Sequence, residues 1–508
     1  MKHCDKSLLV LSLIFFKHFT QSNAWPSLSS LHNYNNSNNQ PAIGLIKNQT
    51  DLLQQDFQKS IEIQLQASKN SKHDELFYTL GNGQAYSDPV SVQRIGSNGP
   101  LLLQDHHLIE NLAHFARERI SERVVHAKGA GAHGVFTVTL RQITNLPLIG
   151  KKTPISIRFS TVGGEQGSGD QARDPRGFAI KFRTQKGIWD LVMNNTPVFF
   201  LRDPAKFPNF IHTQKRNPRT HLKDPNIVWD YFVHNPEALH QFMRLFSDAG
   251  TPQGFVHMHG FTGHSYRWVQ KDGSWVYVKL FAETNQGIHN FTASESMKIL
   301  GENPDYATED LFNRIESKKF PSWTMYAQIL TPDQAEKFKY NILDLTKDWP
   351  FDLVEKHEIG KFELNQNPQN FFAEIEQIAF SPSNLVDGWE PSTDPVLQAR
   401  LFSYPDAQRH RLGVNFQQIP VNCPLNPVVN LQRDGLSVLL GNQGSRMNYI
   451  SSYESKMNLQ PKAYDESNHT IWTGGAIRSL SEITEIDFDQ PRSYWNSLTS
   501  NDKKSLTT

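Results

Sequence analysis

The chain has 508 residues, enough for one large domain or for two to three ordinary ones. Its 51 basic and 51 acidic side chains cancel, which excludes the basic footprint of a nucleic-acid binder. With only Cys4 and Cys423 there is no disulfide framework and no thiolate metal cluster, while 32 phenylalanines suit a large apolar interior or a flat apolar slot.

The N-terminus carries a short basic region (Lys2, His3, Lys6), an apolar run from Leu8 to Phe16, and small residues at Ser22-Asn23-Ala24. This pattern predicts a cleaved signal peptide over 1–24, because the run is far shorter than the ~20 residues a spanning helix needs. Ser505-Leu506-Thr507-Thr508 is neither a peroxisomal nor an ER-retention signal, so the expected destination is extracellular, with no membrane attachment after cleavage. Sequons starting at Asn35, Asn48, Asn290 and Asn468 are compatible with glycosylation.

Residues 25 to about 44 are rich in Asn and Ser and read as a disordered arm. Leu53, Phe57, Ile61 and Leu65 recur every four residues and predict a helix over Asp51–Lys69. Residues 68–99 are loop-like, and a second helix is expected over Asp105–Arg123. From Val135 onward short alternating segments predict strands: Val135–Leu140, Ile155–Ser160, Phe178–Arg183, Trp189–Met193, Ser265–Val269, Trp275–Phe281 and Trp323–Leu330. Helices are expected around Pro225–Asn235 and Pro236–Phe246. The mixture implies an α+β architecture around a closed or nearly closed sheet. Residues 340–395, punctuated by Pro and Asn, read as a long irregular connection, a length that wrapping over another subunit would explain.

Four constellations carry chemistry. In the first, charged residues 117–123 lead through Val124-Val125 to His126 and Ala127-Lys128-Gly129-Ala130-Gly131. A histidine in a water-restricted pocket can accept and return a proton, and the small residues permit close approach of a bulky planar group; a satisfied core histidine is the plainer reading. The second is Arg158-Phe159-Ser160-Thr161, followed by Arg173-Asp174-Pro175-Arg176-Gly177. Arg158 can neutralise a buried carboxylate and Ser160 can orient the His126 ring; a turn between strands is the alternative. The third, Asn194-Asn195-Thr196-Pro197-Val198-Phe199, offers an amide to polarise a bound oxygen and an apolar face for a ring, or else a polar turn. The fourth runs from Arg400-Leu401-Phe402-Ser403-Tyr404-Pro405 to Arg409-His410-Arg411. If it is helical, Arg400 and Tyr404 share a face one turn apart, and Arg411 follows about three turns beyond Arg400. A phenol ionises near pH ~10, and a guanidinium beside it favours the phenolate, a hard ligand for ferric iron.

Together these segments resemble the haem catalase family, nearly continuously from about residue 81 to 440. Gly99-Pro100-Leu101-Leu102-Leu103-Gln104-Asp105 and Gln418-Ile419-Pro420-Val421-Asn422-Cys423-Pro424 add to the likeness. The resemblance implies an α+β catalase fold: an antiparallel eight-stranded β-barrel with surrounding helices, a wrapping segment and a shortened C-terminal helical region, with one short helix opening at Pro491-Arg492-Ser493-Tyr494-Trp495. The implied divisions are a signal at 1–24, an arm with one helix at 25–95, the barrel at 96–366, the wrapping segment at 367–482 and a C-terminal remnant at 483–508.

The resemblance also implies roles. His126 is the acid–base residue above a haem b, Asn194 assists it in binding hydrogen peroxide, and Ser160 orients it. Tyr404 is the iron ligand, with Arg400 holding it ionised, and Arg123, Arg158 and Arg411 hold the propionates. Val125, Phe199 and Phe207 line the haem and its approach, with Asp174 along the channel. The implied reaction is disproportionation of peroxide to water and dioxygen, in a homotetramer with threaded N-terminal arms. A haem peroxidase with a wider channel and a haem-binding protein without turnover are the competing readings. Many relatives bind NADPH, and His240 and Ser247 match that site. Ala249, Glu283, His259 and Phe351 stand where the family has Arg, Lys, Asn and His, so tight NADPH binding is not expected.

Overall fold

Short strands with an apolar residue at every second position pair edge to edge until the sheet meets itself. The computed structural model describes residues 77–119, 122–139, 150–442, 444–445, 447–450 and 476–507, with 59, 61–64 and 66. The expected signal peptide and the sequons at Asn35, Asn48 and Asn468 lie outside the described residues. Of the helix expected over Asp51–Lys69, residues 61–64 are described and are helical. The chain divides into two compact units, Met1–Tyr86 and Ser87–Thr508, and the second carries all the strands of the sheet.

That second unit opens with strand β1 (Val92–Ile95) and helix α1 (His106–Ala116). Asp105 caps the helix by accepting from the Leu108 N–H at 3.3 Å. Strands β2 (Gly129–Val138), β3 (Lys152–Ser160), β4 (Gly177–Thr184) and β5 (Gly187–Asn194) follow as antiparallel neighbours. Helices α2 (Lys206–Gln214), α3 (Pro225–His234) and α4 (Leu239–Phe246) precede β6 (Gly260–Phe261), β7 (Tyr266–Val269) and β8 (Trp275–Thr284). Helices α5 (Ala293–Glu302) and α6 (Tyr306–Glu316) lead to β9 (Ser322–Leu330), β10 (Lys356–Gln366) and β11 (Trp389–Pro391). The long helix α7 (Pro395–Leu412), strand β12 (Ala476–Ser479) and helices α8 (Asp489–Ser497) and α9 (Ser500–Thr507) complete the unit.

The order β2-β3-β4-β5-β6-β8-β9-β10, with β10 returning to β2, is a closed antiparallel barrel of eight strands. Strands β7 and β11 extend it beside β8, and β1 pairs with β12 apart from it. The interior is aromatic. Phe159 meets Phe178 edge-on at 4.9 Å, and Trp323 stacks on Phe362 at 5.3 Å, all of them fully buried. Such pairs add about 0.5–1.5 kcal/mol each beyond the area they bury.

The structure corrects several expectations. Residues 340–395 are not one irregular connection, because β10 closes the barrel within them. Its buried side chains are Phe362 and Leu364, and charged residues between them mask the alternation. Helices α2, α5 and α6 were not expected. The helix expected to reach Arg123 stops at Ala116, which leaves residues 122–126 free to turn back toward the barrel. At the C-terminus there are two helices rather than one.

Candidate active site

One row of paired residues crosses five adjacent strands at one end of the barrel. Gly129 faces Ser160, Ser160 faces Gly177, Gly177 faces Asn194, and Asn194 faces Phe261. Side chains repeat every second residue, so Gly131, Arg158, Ala179 and Val192 form a second row on the same outer face. Residues distant in sequence thus reach one surface through ladder register alone.

His126 stands just ahead of β2. Its backbone has φ +65°, a left-handed conformation that costs a residue with a side chain about 1–3 kcal/mol. Three contacts hold it there. Its N–H donates to the Val162 carbonyl at 3.2 Å, its carbonyl accepts from Arg158 Nη1 at 2.7 Å, and its Nδ1 lies 2.9 Å from Ser160 Oγ. Gly177 makes this possible: a Cβ there would collide with Ser160 Oγ and lie 2.7 Å from His126 Nδ1. Burial, and then the charges of Arg158, Arg400 and Arg123, push the imidazole down to about 3, so it is neutral at ordinary pH.

The glycines of β2 admit protein rather than a planar group. A Cβ at Gly129 would meet Arg158 Cζ at 2.9 Å, and one at Gly131 would meet Ile375 Cδ1 at 2.7 Å.

The opposite wall is α7. Asp394 caps its start, Oδ1 accepting from the Val396 and Leu397 N–H groups at 2.9 and 3.1 Å. Its other oxygen lies 2.6 Å from Nδ1 of buried His264. One turn into the helix, Arg400 Nη2 donates both to the Tyr404 hydroxyl at 2.9 Å and to the Val192 carbonyl at 3.1 Å. The guanidinium is therefore tied to the barrel and to the phenol together.

Three more guanidiniums gather at the far end. Arg158 Nη2 donates to the Ala127 carbonyl at 2.9 Å, and its Nε is buried with no partner among the described residues. Arg123 donates to Glu376 Oε1 at 2.9 Å and to the Ile378 carbonyl at 3.0 Å. Arg411 donates to the Glu376 and Ile378 carbonyls at 2.7 and 3.1 Å. A π-helical turn, Phe372–Glu376, ends at the first of these carbonyls.

Between the walls lies a cavity of about 1640 Å³, counted with its open mouth. Arg123, Val125, His126, Arg158, Ser160, Asn194, Phe199, Phe207, Arg400, Tyr404 and Arg411 all line it. Phe199 and Phe207 rings stand 6.3 Å apart, and Phe207 meets Phe115 edge-on at 5.4 Å. Asp174, expected along a channel, is not among the lining residues. Its carboxylate accepts from the Val162 and Gly163 N–H groups at 2.5 and 2.7 Å, and burial pushes its carboxyl up.

Sequence reasoning missed Gly177 as the space-maker for His126, and it missed the His264–Asp394 pair and Glu376. Asp394-Pro395 is a readable helix start, but nothing in the sequence joins it to His264. Glu376 carries no local signal at all.

The donor set fits a flat apolar group with anionic tails and an oxygen ligand from the protein. The cavity is walled by Val125, Phe199 and Phe207, three guanidiniums with one carboxylate among them stand at one end, and the Tyr404 phenol faces in from α7. A sequence profile described as "Catalase" matches residues 79–456. The chain belongs to the catalase family. It is 53% identical to a catalase of Schizosaccharomyces pombe, over 83% of each chain. It is 52% identical to a peroxisomal catalase of Candida albicans, over 83% of this chain and 88% of the relative. Among solved structures, catalase A from Saccharomyces cerevisiae superposes with a TM-score of 0.73 at 48% identity, covering 85% of this chain and 91% of that one. As an enzyme the chain is a hydrogen-peroxide:hydrogen-peroxide oxidoreductase, and haem is the cofactor of its family.

The comparisons overturn one expectation. Secretion is corrected, because several of the most similar relatives bear the name peroxisomal catalase. A short basic region followed by a short apolar run is a weak pattern. No helix among the described residues is long and apolar enough to cross a membrane.

Proposed function

We propose that this chain turns two hydrogen peroxide molecules into two waters and dioxygen at a haem b held by Tyr404 Oη and by Arg123, Arg158 and Arg411 at the propionates. When bound, the haem iron supplies the redox chemistry. The protein supplies the rest. His126 takes a proton from peroxide and returns it to the oxygen that leaves as water. Burial keeps the imidazole unprotonated, and the tautomer we propose has its proton on Nδ1, facing Ser160 Oγ at 2.9 Å, which leaves Nε2 to accept. The Asn194 amide donates to peroxide. Arg400 stabilises negative charge on Tyr404 Oη through a charge-assisted hydrogen bond at 2.9 Å. Val125, Phe199 and Phe207 narrow the apolar approach so that small substrates are favoured.

The observation that carries this reading is that His126 and Tyr404, 278 positions apart (404 minus 126), line one cavity from a barrel end and from α7. Purified protein should evolve oxygen from peroxide alone and show a haem visible spectrum. Oxygen evolution only with an added organic donor would instead mean a peroxidase.

Three further proposals accompany it. The relatives' names support a peroxisomal location, which cell fractionation tests by following oxygen-evolving activity. A homotetramer is supported by the exposed apolar side chains Leu425, Val428, Leu436 and Leu439 on an irregular stretch, with residues 367–482 as the wrapping segment around the 96–366 barrel; light scattering measures it. Tight NADPH binding is disfavoured, because Ser247 Oγ already bonds the Tyr494 hydroxyl of α8 at 2.9 Å. Stoichiometric NADPH on purified enzyme would contradict that.

A further inference from the structure

Taken with the haem reading above, the carboxylate bonded to a guanidinium at the cavity, Glu376, has no assigned task; Glu122 also lines the cavity, but its Oε1 accepts from the Gln166 N–H instead. The guanidiniums of Arg123, Arg158 and Arg411 line one end of it. Burial lowers the pKa of all three, repulsion by Arg123 lowers Arg158 and Arg411 further, and Glu376 raises each of them. Arg400 stands apart from this group, since it is bonded to the Tyr404 oxygen. The Glu376 carboxylate is 10% exposed, lies 2.9 Å from Arg123 Nη1, and has Gln166 Nε2 at 3.5 Å from its other oxygen. Its backbone carbonyl accepts from Arg411 as well, so the residue touches two of the three cations. The π-helical turn that ends at Glu376 directs both its carboxylate and its carbonyl to the same place.

The three guanidiniums and the one carboxylate bonded among them leave two positive charges, which two haem propionates would cancel. We propose that Glu376 is a positioning residue of the haem site whose carboxylate completes charge neutrality around the propionate-binding arginines and so sets the electrostatic potential at the iron. A site with three guanidiniums against two propionates alone would keep a buried unpaired cation, which an interior of low dielectric penalises. The missing anion comes from the protein.

The test compares holoenzymes by haem content, from the Soret band, and by ferric/ferrous midpoint potential in spectroelectrochemistry. Glu376→Gln should retain haem and shift the midpoint upward, by about tenfold in the ferric/ferrous equilibrium, the order of one charge's effect in a partly buried site. Arg123→Met should shift it downward, and the double variant E376Q/R123M, neutral again, should return toward the parent value. Glu376→Asp should lie near the parent. A purely structural role would lower haem content without this reciprocal pattern. If E376Q carries full haem and an unmoved midpoint, or the double variant moves further from the parent than either single, the proposal is overturned. Should E376Q fail to fold, the double variant E376Q/R123M beside Arg123→Met decides: a midpoint back near the parent supports the proposal, and one no different from Arg123→Met overturns it. Absence of haem from the unsubstituted enzyme would strike at the haem reading itself, a separate failure.

Discussion

The two walls of the cavity are built by different means. The His126 wall is a set of strand ends whose places are fixed by ladder register, with Gly177 leaving room where a side chain would intrude. The Tyr404 wall is one helix, fastened by arginine side chains: Arg400 donates to the Val192 carbonyl of the barrel, and Arg411 to the Glu376 and Ile378 carbonyls at and just after the π-helical turn. The first wall positions proton-transfer groups through backbone, where small steric changes matter most. The second positions a ligand and charges through long side chains, where changes of charge matter most.

The strands of the first wall also hold a buried ion pair, and breaking it should have the largest effect on stability. Lys181 and Asp190 face each other across β4 and β5 at 2.8 Å, and Asp190 also accepts from the Ser381 N–H at 3.0 Å and Asn384 Nδ2 at 2.7 Å. Lys181→Ala should lower unfolding free energy by about 3–5 kcal/mol, measured by urea denaturation, because it strands a buried carboxylate. Gly177→Ala should cost about 1–3 kcal/mol by overpacking and should lower oxygen evolution, since the new methyl displaces His126 or Ser160. Equal activity in that variant would show that the His126–Ser160 contact is dispensable.

Acid should affect the first wall in a defined direction. The folded His126 pKa, about 3, lies below the unfolded value of about 6.5, so the unfolded chain binds a proton that the folded chain does not. Stability from this group is complete above pH ~6.5 and falls as pH drops toward 3, by at most about 1.4 kcal/mol per pH unit. Buried His264 and His240 are lowered too and act in the same sense. Urea midpoints at pH 7, 5 and 4 should therefore fall, and less steeply for His126→Ala. The smallest effect is expected for Ser160→Ala, about 1 kcal/mol of transition-state stabilisation from one hydrogen bond, read as a severalfold loss in kcat/KM.

The same contrast explains how much was legible in the sequence. The barrel strands from Ile155 to Met193 show in their alternation, and His126, Asn194 and Tyr404 show in motifs that resemble a known family. β10 did not, because its charged outward face and its Pro- and Asn-rich flanks read as a loop. Gly177 reads as a turn residue after Asp174-Pro175, since only register reveals the neighbours whose space it leaves. Glu376 and the His264–Asp394 pair are contacts between segments 253 and 130 positions apart, and no local pattern encodes such meetings.

The central claim is that a phenol and an imidazole face each other across one haem cavity. The direct measurement is the visible spectrum and oxygen evolution of Tyr404→Phe and His126→Ala beside the parent enzyme. The account predicts that His126→Ala keeps its haem yet loses about 10²–10⁴-fold in rate, the usual contribution of a positioned acid–base group. It predicts that Tyr404→Phe loses haem or its ligand-dependent spectrum along with activity. Parent-like spectra and parent-like oxygen evolution in both variants would contradict it.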